Sequence, residues 1–483
     1  MMKRLLGSYA ARFIVLLWIG CILAASAAAE GGPSLNPMLD KWLQRVENGE
    51  AADITLSAAI HALSPYGDDT VAAINCLLAE CSVHVGYQQT ANGETTAARI
   101  MIGQMPAVDF VTRSDGQMQA QTSLLPGVTL ESGTGSPMDI LLGQSEDIPF
   151  WASDILDPNG LADMIPDVLS GLSAFKEEKT GSYHLSSIGT AKKAVVYTVP
   201  ESGAQMLREG LSLLAGRMNY HEAAALIHTM TLTGDAVITL YQTAEGKSMG
   251  LGIKATMGFE NTTPREVTFL WVFKSDEKKS LHEISLKAPA DKGSDNLTIT
   301  GELTVESLKA KNRLSFSLDV RNKVSGKPER AQWSGQLDCL LAEDNQRLEG
   351  EIKQTYTDPE ETAHILTIKP SLLTYQVGDA FSVKGNARIL WSRNKKVVTD
   401  VTFSLLAGAT EDIPWEESGR RISLDGLGET DLIALREQAL AKAAESIWKS
   451  VLALPEDCLK LISRNISQED WARIYQDAYV VDQ

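Results

Sequence analysis

The stretch Gly246-Lys247-Ser248-Met249-Gly250 holds the residue types of two chemistries. Read as G-x-S-x-G it has the form of a serine-hydrolase nucleophile elbow. Read as G-K-S it has the end of a phosphate-binding P-loop. An elbow needs a strand, a sharp turn and a helix, with the serine exposed at the turn. Here Ala236 to Tyr241 precedes the motif, and Leu251 to Met257 comes after it with an early glycine and then alternation. That continuation is poor helix and good strand. A P-loop needs a glycine five residues before Gly246, and that position is Tyr241. The stretch is therefore expected to be a hairpin turn.

The other chemistry-bearing residues fail similar tests. "HEAAALIH" resembles a zinc-protease helix, but His221 and His228 are seven residues apart, about 10.5 Å along a helix. Zinc–nitrogen bonds of about 2 Å do not span that from one ion. Asp157-Pro158-Asn159-Gly160 has the look of a calcium loop, yet Ile155 stands where an EF-hand has its first ligand. A turn explains those residues without metal. His184 has serine neighbours and no identifiable acid partner, and His282 shares a strand face with Ile284 and Leu286; both read as structural. Glycosidase carboxylate pairs are defined by separation in space, which spacing along a chain does not supply. No residue is assigned a catalytic, cofactor-binding or metal-ligating role, and no cofactor is expected.

The N-terminus carries Lys3, Arg4 and Arg12, an apolar run from Phe13 to Leu23, and Ala27-Ala28-Ala29. This is the layout of a signal peptide, residues 1–29, with cleavage before Glu30. An uncleaved membrane anchor is the alternative. No later segment is apolar enough to cross a bilayer as a helix. Removing the leader takes the net charge from -18 to -21. Such acidity disfavours nucleic acid as a partner.

Four of the five cysteines then remain: Cys76, Cys81, Cys339 and Cys458. In an exported chain they are disulfide candidates, with three connectivities open. Cys76–Cys81 is locally easy if a helix ends between them, and Cys339–Cys458 would tie a strand to a C-terminal helix.

The elements that position these residues follow from hydrophobic period. Leu39, Trp42, Leu43 and Val46 mark a first helix, and Val71, Ile74, Leu77 and Leu78 a second, with Asp69 as its cap. The period then changes to two, and an antiparallel meander begins at Val83; with the two helices it makes a region over 30–150. A connecting segment, 151–204, leads to a helix and a long meander over 205–427, with about eleven strand candidates between residues 233 and 406. Helices return over 428–483, with a stripe of Ile433, Leu440, Ala444, Ile447 and Val451 stopped by Pro455, and a capping pair in Ser467 and Asp470. Two sequence echoes, Tyr87-Gln88-Gln89-Thr90 with Tyr241-Gln242-Thr243, and the E-D-I-P loops at 146 and 411, suggest repetition at inconsistent offsets.

Alternating strands with a few amphipathic helices predict an α+β fold: a large curved antiparallel β-sheet, clam-like, with the helices packed on its concave face. The pattern resembles the β-clam of bacterial extracytoplasmic lipoprotein- and lipid-carrier proteins. The resemblance is one of architecture, and no binding residue is carried over from it. It implies an exported, non-enzymatic binding protein, a carrier of a hydrophobic small molecule such as a lipid or acyl chain. The alternative is a structural cell-envelope protein that binds an envelope partner, with Trp415 of the E-D-I-P-W loop as the contact. A hydrolase ranks below both. The expected location is extracytoplasmic, with no membrane span in the mature chain.

Overall fold

The computed structural model describes residues 34–90, 93–114, 117–133, 136–142, 175–205, 208–209, 212, 228–259, 264–288, 297–324, 327–357, 362–410, 413, 415 and 420–479. The signal-peptide expectation, the first E-D-I-P loop, most of "HEAAALIH" and the Asp157 turn lie outside these residues.

The fold is mostly antiparallel sheet with a few helices, as the change of period from 3.6 to two requires. Twenty strands appear in chain order: β1 (Ala52–Leu63), β2 (Cys81–Thr90), β3 (Gly93–Ile102), β4 (Met105–Ser114), β5 (Met118–Thr122), β6 (Val128–Ser132), β7 (Lys176–Leu185), β8 (Gly189–Val199), β9 (Met230–Gln242), β10 (Ser248–Phe259), β11 (Arg265–Ser275), β12 (Lys279–Ala288), β13 (Leu297–Ser307), β14 (Lys311–Val324), β15 (Lys327–Leu341), β16 (Asn345–Thr357), β17 (Ala363–Val377), β18 (Ala380–Arg393), β19 (Lys396–Ala409) and β20 (Arg420–Ser423). The described helices are α1 (Pro37–Glu47), α2 (Asp68–Ala79), α3 (Pro137–Leu142), α4 (Glu429–Leu452), α5 (Glu456–Arg464) and α6 (Gln468–Tyr479). The chain divides into two compact units, one built on 150–339 and 351–365, the other on 36–149, 340–350 and 366–483.

In the first unit β7 to β14 form a meander, each strand antiparallel to the next. One face is apolar. Ile299, Leu303 and Val305 of β13 stand opposite Val320, Phe316 and Leu314 of β14, and Ile299, Leu303 and Leu318 are fully buried. The intervening residues, Thr300, Glu302 and Glu306, stand opposite Asp319, Ser317 and Arg313 on the other face. Alternation of this kind buries one set of side chains and solvates the other.

In the second unit the strands run β18, β19, β1, β2, β3, β4, β5, β6, with β20 added parallel to β6. Among the described residues this row is open at β20, which departs from the clam-like form expected. The helices lie against the apolar face. Asn36 caps α1 by accepting from the Leu39 amide at 3.0 Å, and Pro37 fits the first helical position. The buried stripe of α1 is Met38, Trp42 and Val46, packed on Ala52, Phe381, Val383 and Ala407. Leu43, expected on that stripe, is 46% exposed. Along α4 the packed set is Leu432, Leu435, Ala439 and Ala443 against Leu130 and Leu424. Of the expected stripe, Ile433 and Leu440 face outward, whereas Ile447 and Val451 pack with Ile102 and Ala107. Gly67, not Asp69, precedes α2, and Asp68 and Asp69 occupy its first turn, where carboxylates favour the positive end of the helix dipole. Asp470 donates its amide to the Ser467 hydroxyl at 3.0 Å, the capping start expected for α6.

Candidate functional site

The turn at Gly246 is a hairpin. β9 and β10 flank it as antiparallel partners, Thr243 N–H donates to the Lys247 carbonyl at 2.8 Å, and Gly246 takes φ +89°. Ser248 opens a strand rather than a helix, so it lacks the elbow's geometry. His184 is exposed on β7. His282 is buried against Trp271 and Phe273, with ring centroids at 6.2 and 6.0 Å, and its Nε2 is 2.9 Å from the Ser280 hydroxyl. Burial pushes its pKa down to about 4, which keeps the ring neutral. Among the described residues no group of three or more His, Cys, Asp or Glu side chains is arranged to hold a metal ion.

Of the four cysteines, one belongs to the first unit and three to the second. Cys339 is buried in the first unit. Cys76 of α2, Cys81 at the start of β2 and Cys458 of α5 meet in one apolar cluster of the second unit, with Ile102, Ala107, Val451 and Leu454. Trp415 is half-buried in the second E-D-I-P loop, and Ile413 of that loop packs over β2.

A hollow of about 870 Å³ opens on the polar face of the second unit. Register assembles it. Thr55, His84, Arg99 and Asp109 form one row across β1, β2, β3 and β4. Asp53, Gly86, Ala97, Val111 and Gln121 form the neighbouring row, extended to β5. All nine point to one face, because directly opposed residues of antiparallel strands share a side. Gly86 and Ala97 are small, so they make the floor, while the charged residues make the rim. Ile413 roofs one end: a β-carbon on Gly86 would lie 3.2 Å from its Cδ1. The Ile413 amide donates to Gln88 Oε1 at 3.3 Å, which anchors the loop there.

The rim side chains differ in how they are engaged. His84 is held on both nitrogens, with Nδ1 3.1 Å from the Thr55 hydroxyl and Nε2 3.0 Å from the Ser82 hydroxyl. Asp109 accepts from the Ser123 amide at 2.9 Å, which ties it to the turn after β5. Asp53 and Arg99 line the hollow with no hydrogen-bond or ion-pair partner among the described residues. They sit two strands apart, about 10 Å at the usual strand spacing. Sequence reasoning passed over this set. Its only local signal was polar residues at alternate positions, which also describes any wet sheet face.

No protein-family model matches this chain. No curated protein matches it either. Solved structures do show similarity. OmpT, an outer membrane protein of Vibrio cholerae, is 8% identical with a TM-score of 0.27, over 75% of this chain and 96% of that one. A BenF-like porin from Pseudomonas fluorescens Pf-5 is 8% identical with a TM-score of 0.29, over 75% and 99%. The outer membrane channel DcaP of Acinetobacter baumannii is 8% identical with a TM-score of 0.27, over 75% and 95%.

Two expectations are corrected here. The carrier of a hydrophobic ligand falls because the hollow is rimmed by Asp53, His84, Arg99 and Asp109. An acyl chain placed against those groups would leave charges without water or partners, at a cost of several kcal/mol or more. The absence of a membrane span in the mature chain falls as well. That expectation rests on helices alone. No described helix is long and apolar enough to cross a membrane, and that says nothing of strands, which cross bilayers as closed barrels.

Proposed function

We propose that this chain is a cell-envelope protein that takes up a small zwitterionic solute in the hollow of its second unit. The observation that carries the reading is the pair Asp53 and Arg99, one carboxylate and one guanidinium, both lining the hollow without a partner among the described residues. A zwitterion supplies a cation to Asp53 and an anion to Arg99, each by a charge-assisted hydrogen bond. His84 and Asp109, already hydrogen-bonded, hold the rim in shape. The small floor at Gly86 and Ala97 leaves room for the solute's body. In this reading the sheet's opposite face belongs to the helices α1, α4 and α5, which is what remains of the clam expectation near the site.

Calorimetric titration with alanine, glutamate, lysine and maltose tests it. The expected result is saturable binding of an amino acid, absent for maltose. Arg99→Gln and Asp53→Asn should each weaken it at least about tenfold, since a lost charge-assisted bond is worth about 1.5–3 kcal/mol. No binding of any amino acid, or affinity indifferent to both variants, overturns the proposal.

A further inference from the structure

The thiol cluster of the second unit carries an inference independent of the hollow. Helices α2 and α5 pack against each other in antiparallel fashion. At one end the Thr70 hydroxyl donates to Asn465 Oδ1 at 3.0 Å. From there Cys76 lies six residues along α2 and Cys458 seven residues back along α5, about 9 Å and about 10.5 Å of helix rise. The two cysteines therefore arrive at the same level, and both belong to one packed apolar cluster. Cys81 completes the trio from the first position of β2, opposite Ile102.

We propose that Cys76 and Cys458 are joined by a disulfide in the exported protein, locking α5 onto α2, while Cys81 stays a thiol beside the bond. The pairing rests on the cell-envelope location proposed above, where an oxidising compartment makes disulfides persist. The chemistry is an exchange with a protein disulfide of that compartment. The thiolate of one cysteine attacks the oxidant's sulfur–sulfur bond and releases one oxidant thiol. The second cysteine displaces the other oxidant sulfur as it closes the Cys76–Cys458 bond. Two thiols lose two protons and two electrons, and the oxidant becomes a dithiol.

The surroundings set the order of events. Cys458 is buried, and its pKa is pushed up to about 12 by that burial and by the neighbouring thiol; burial raises Cys81 as well. A thiol held protonated is a poor nucleophile. Oxidation therefore precedes the seating of α5, and once α5 is seated the bond is shielded from exchange. The link closes a loop that takes in most of the chain, where cross-linking restricts the unfolded state most.

The test uses the full chain recovered from an oxidising envelope compartment. Free thiols are alkylated before lysis, the protein is digested without reductant, and the peptides are weighed. The expected product is a peptide pair linked through Cys76 and Cys458, with Cys81 alkylated. Reductant should lower the melting temperature by on the order of 5–10 °C in the wild type and in Cys81→Ser. It should leave Cys458→Ser unmoved. Linkage of Cys76 to Cys81, any other partner for Cys458, alkylation of all three, or a wild-type melting temperature indifferent to reductant overturns the proposal. Because the peptide linkage is read on the wild type, a variant that fails to fold does not block the test.

Discussion

Leu318 stands directly opposite Gly301 across β13 and β14, and its Cδ1 fills the space that a β-carbon on Gly301 would need, at 2.9 Å. Ile284 of β12 closes the same space from the other side at 3.0 Å. Gly301→Ala is therefore expected to overpack the first unit's core and cost about 1–3 kcal/mol. Urea denaturation checks it. The reverse change, Leu318→Ala, should cost about 2–5 kcal/mol by leaving a cavity beside Gly301. The double variant should cost less than the sum, because a methyl on residue 301 partly fills that cavity.

Acid should weaken the fold through His282. Its folded pKa of about 4 lies below the 6.5 of an unperturbed histidine. Between those values the unfolded chain binds a proton that the fold refuses. The contribution is fully present above pH 6.5, declines as pH falls through that window, and is gone below about pH 4. Its size is about 3 kcal/mol. His282→Phe keeps the aromatic stack with Trp271 and Phe273 and should lose this part of the pH dependence. Urea midpoints at pH 7 and pH 4.5 for both proteins give the comparison, and equal slopes would refute the assignment.

Asn36 does two jobs. Its Oδ1 caps α1 and its Nδ2 donates to the buried Thr374 hydroxyl at 3.1 Å. Asn36→Ala should destabilise by about 2 kcal/mol, one part from the cap and one from the unpaired hydroxyl. Asn36→Asp keeps the cap acceptor and loses the donor, so it should fall between. Thermal melts of the three proteins rank them.

Filling the hollow should block it without harming the sheet. Ala97→Leu adds bulk to the floor between Gly86 and Val111. Amino-acid affinity should drop at least about tenfold, with the melting temperature within a few degrees of wild type, since a solvent-facing strand position tolerates substitution.

Much of the fold was legible because its cause is local. Val83 and Val85, or Leu314, Phe316, Leu318 and Val320, declare strands by alternation, and about eleven candidates between residues 233 and 406 match β9 to β19. The turn at Gly246 was legible for the same reason: the residues after Ser248 alternate. The helix stripes were half legible. Trp42 and Val46 are buried as expected, but Leu43, Ile433 and Leu440 are exposed, since the neighbour that packs against a helix decides which flank of its apolar arc is covered.

The sequence by itself determined that this is an acidic chain of mostly antiparallel strands, and it located the strands and their turns, because period and turn chemistry act over a few residues. Only the tertiary structure decided that Asp53, His84, Arg99 and Asp109 share one rim and that Cys458 packs in one cluster with Cys76. Those groups come from four strands in one case and from opposite ends of the chain in the other. Strand register and helix packing bring them together, and a one-residue slip of a strand would turn its rim residue to the opposite face.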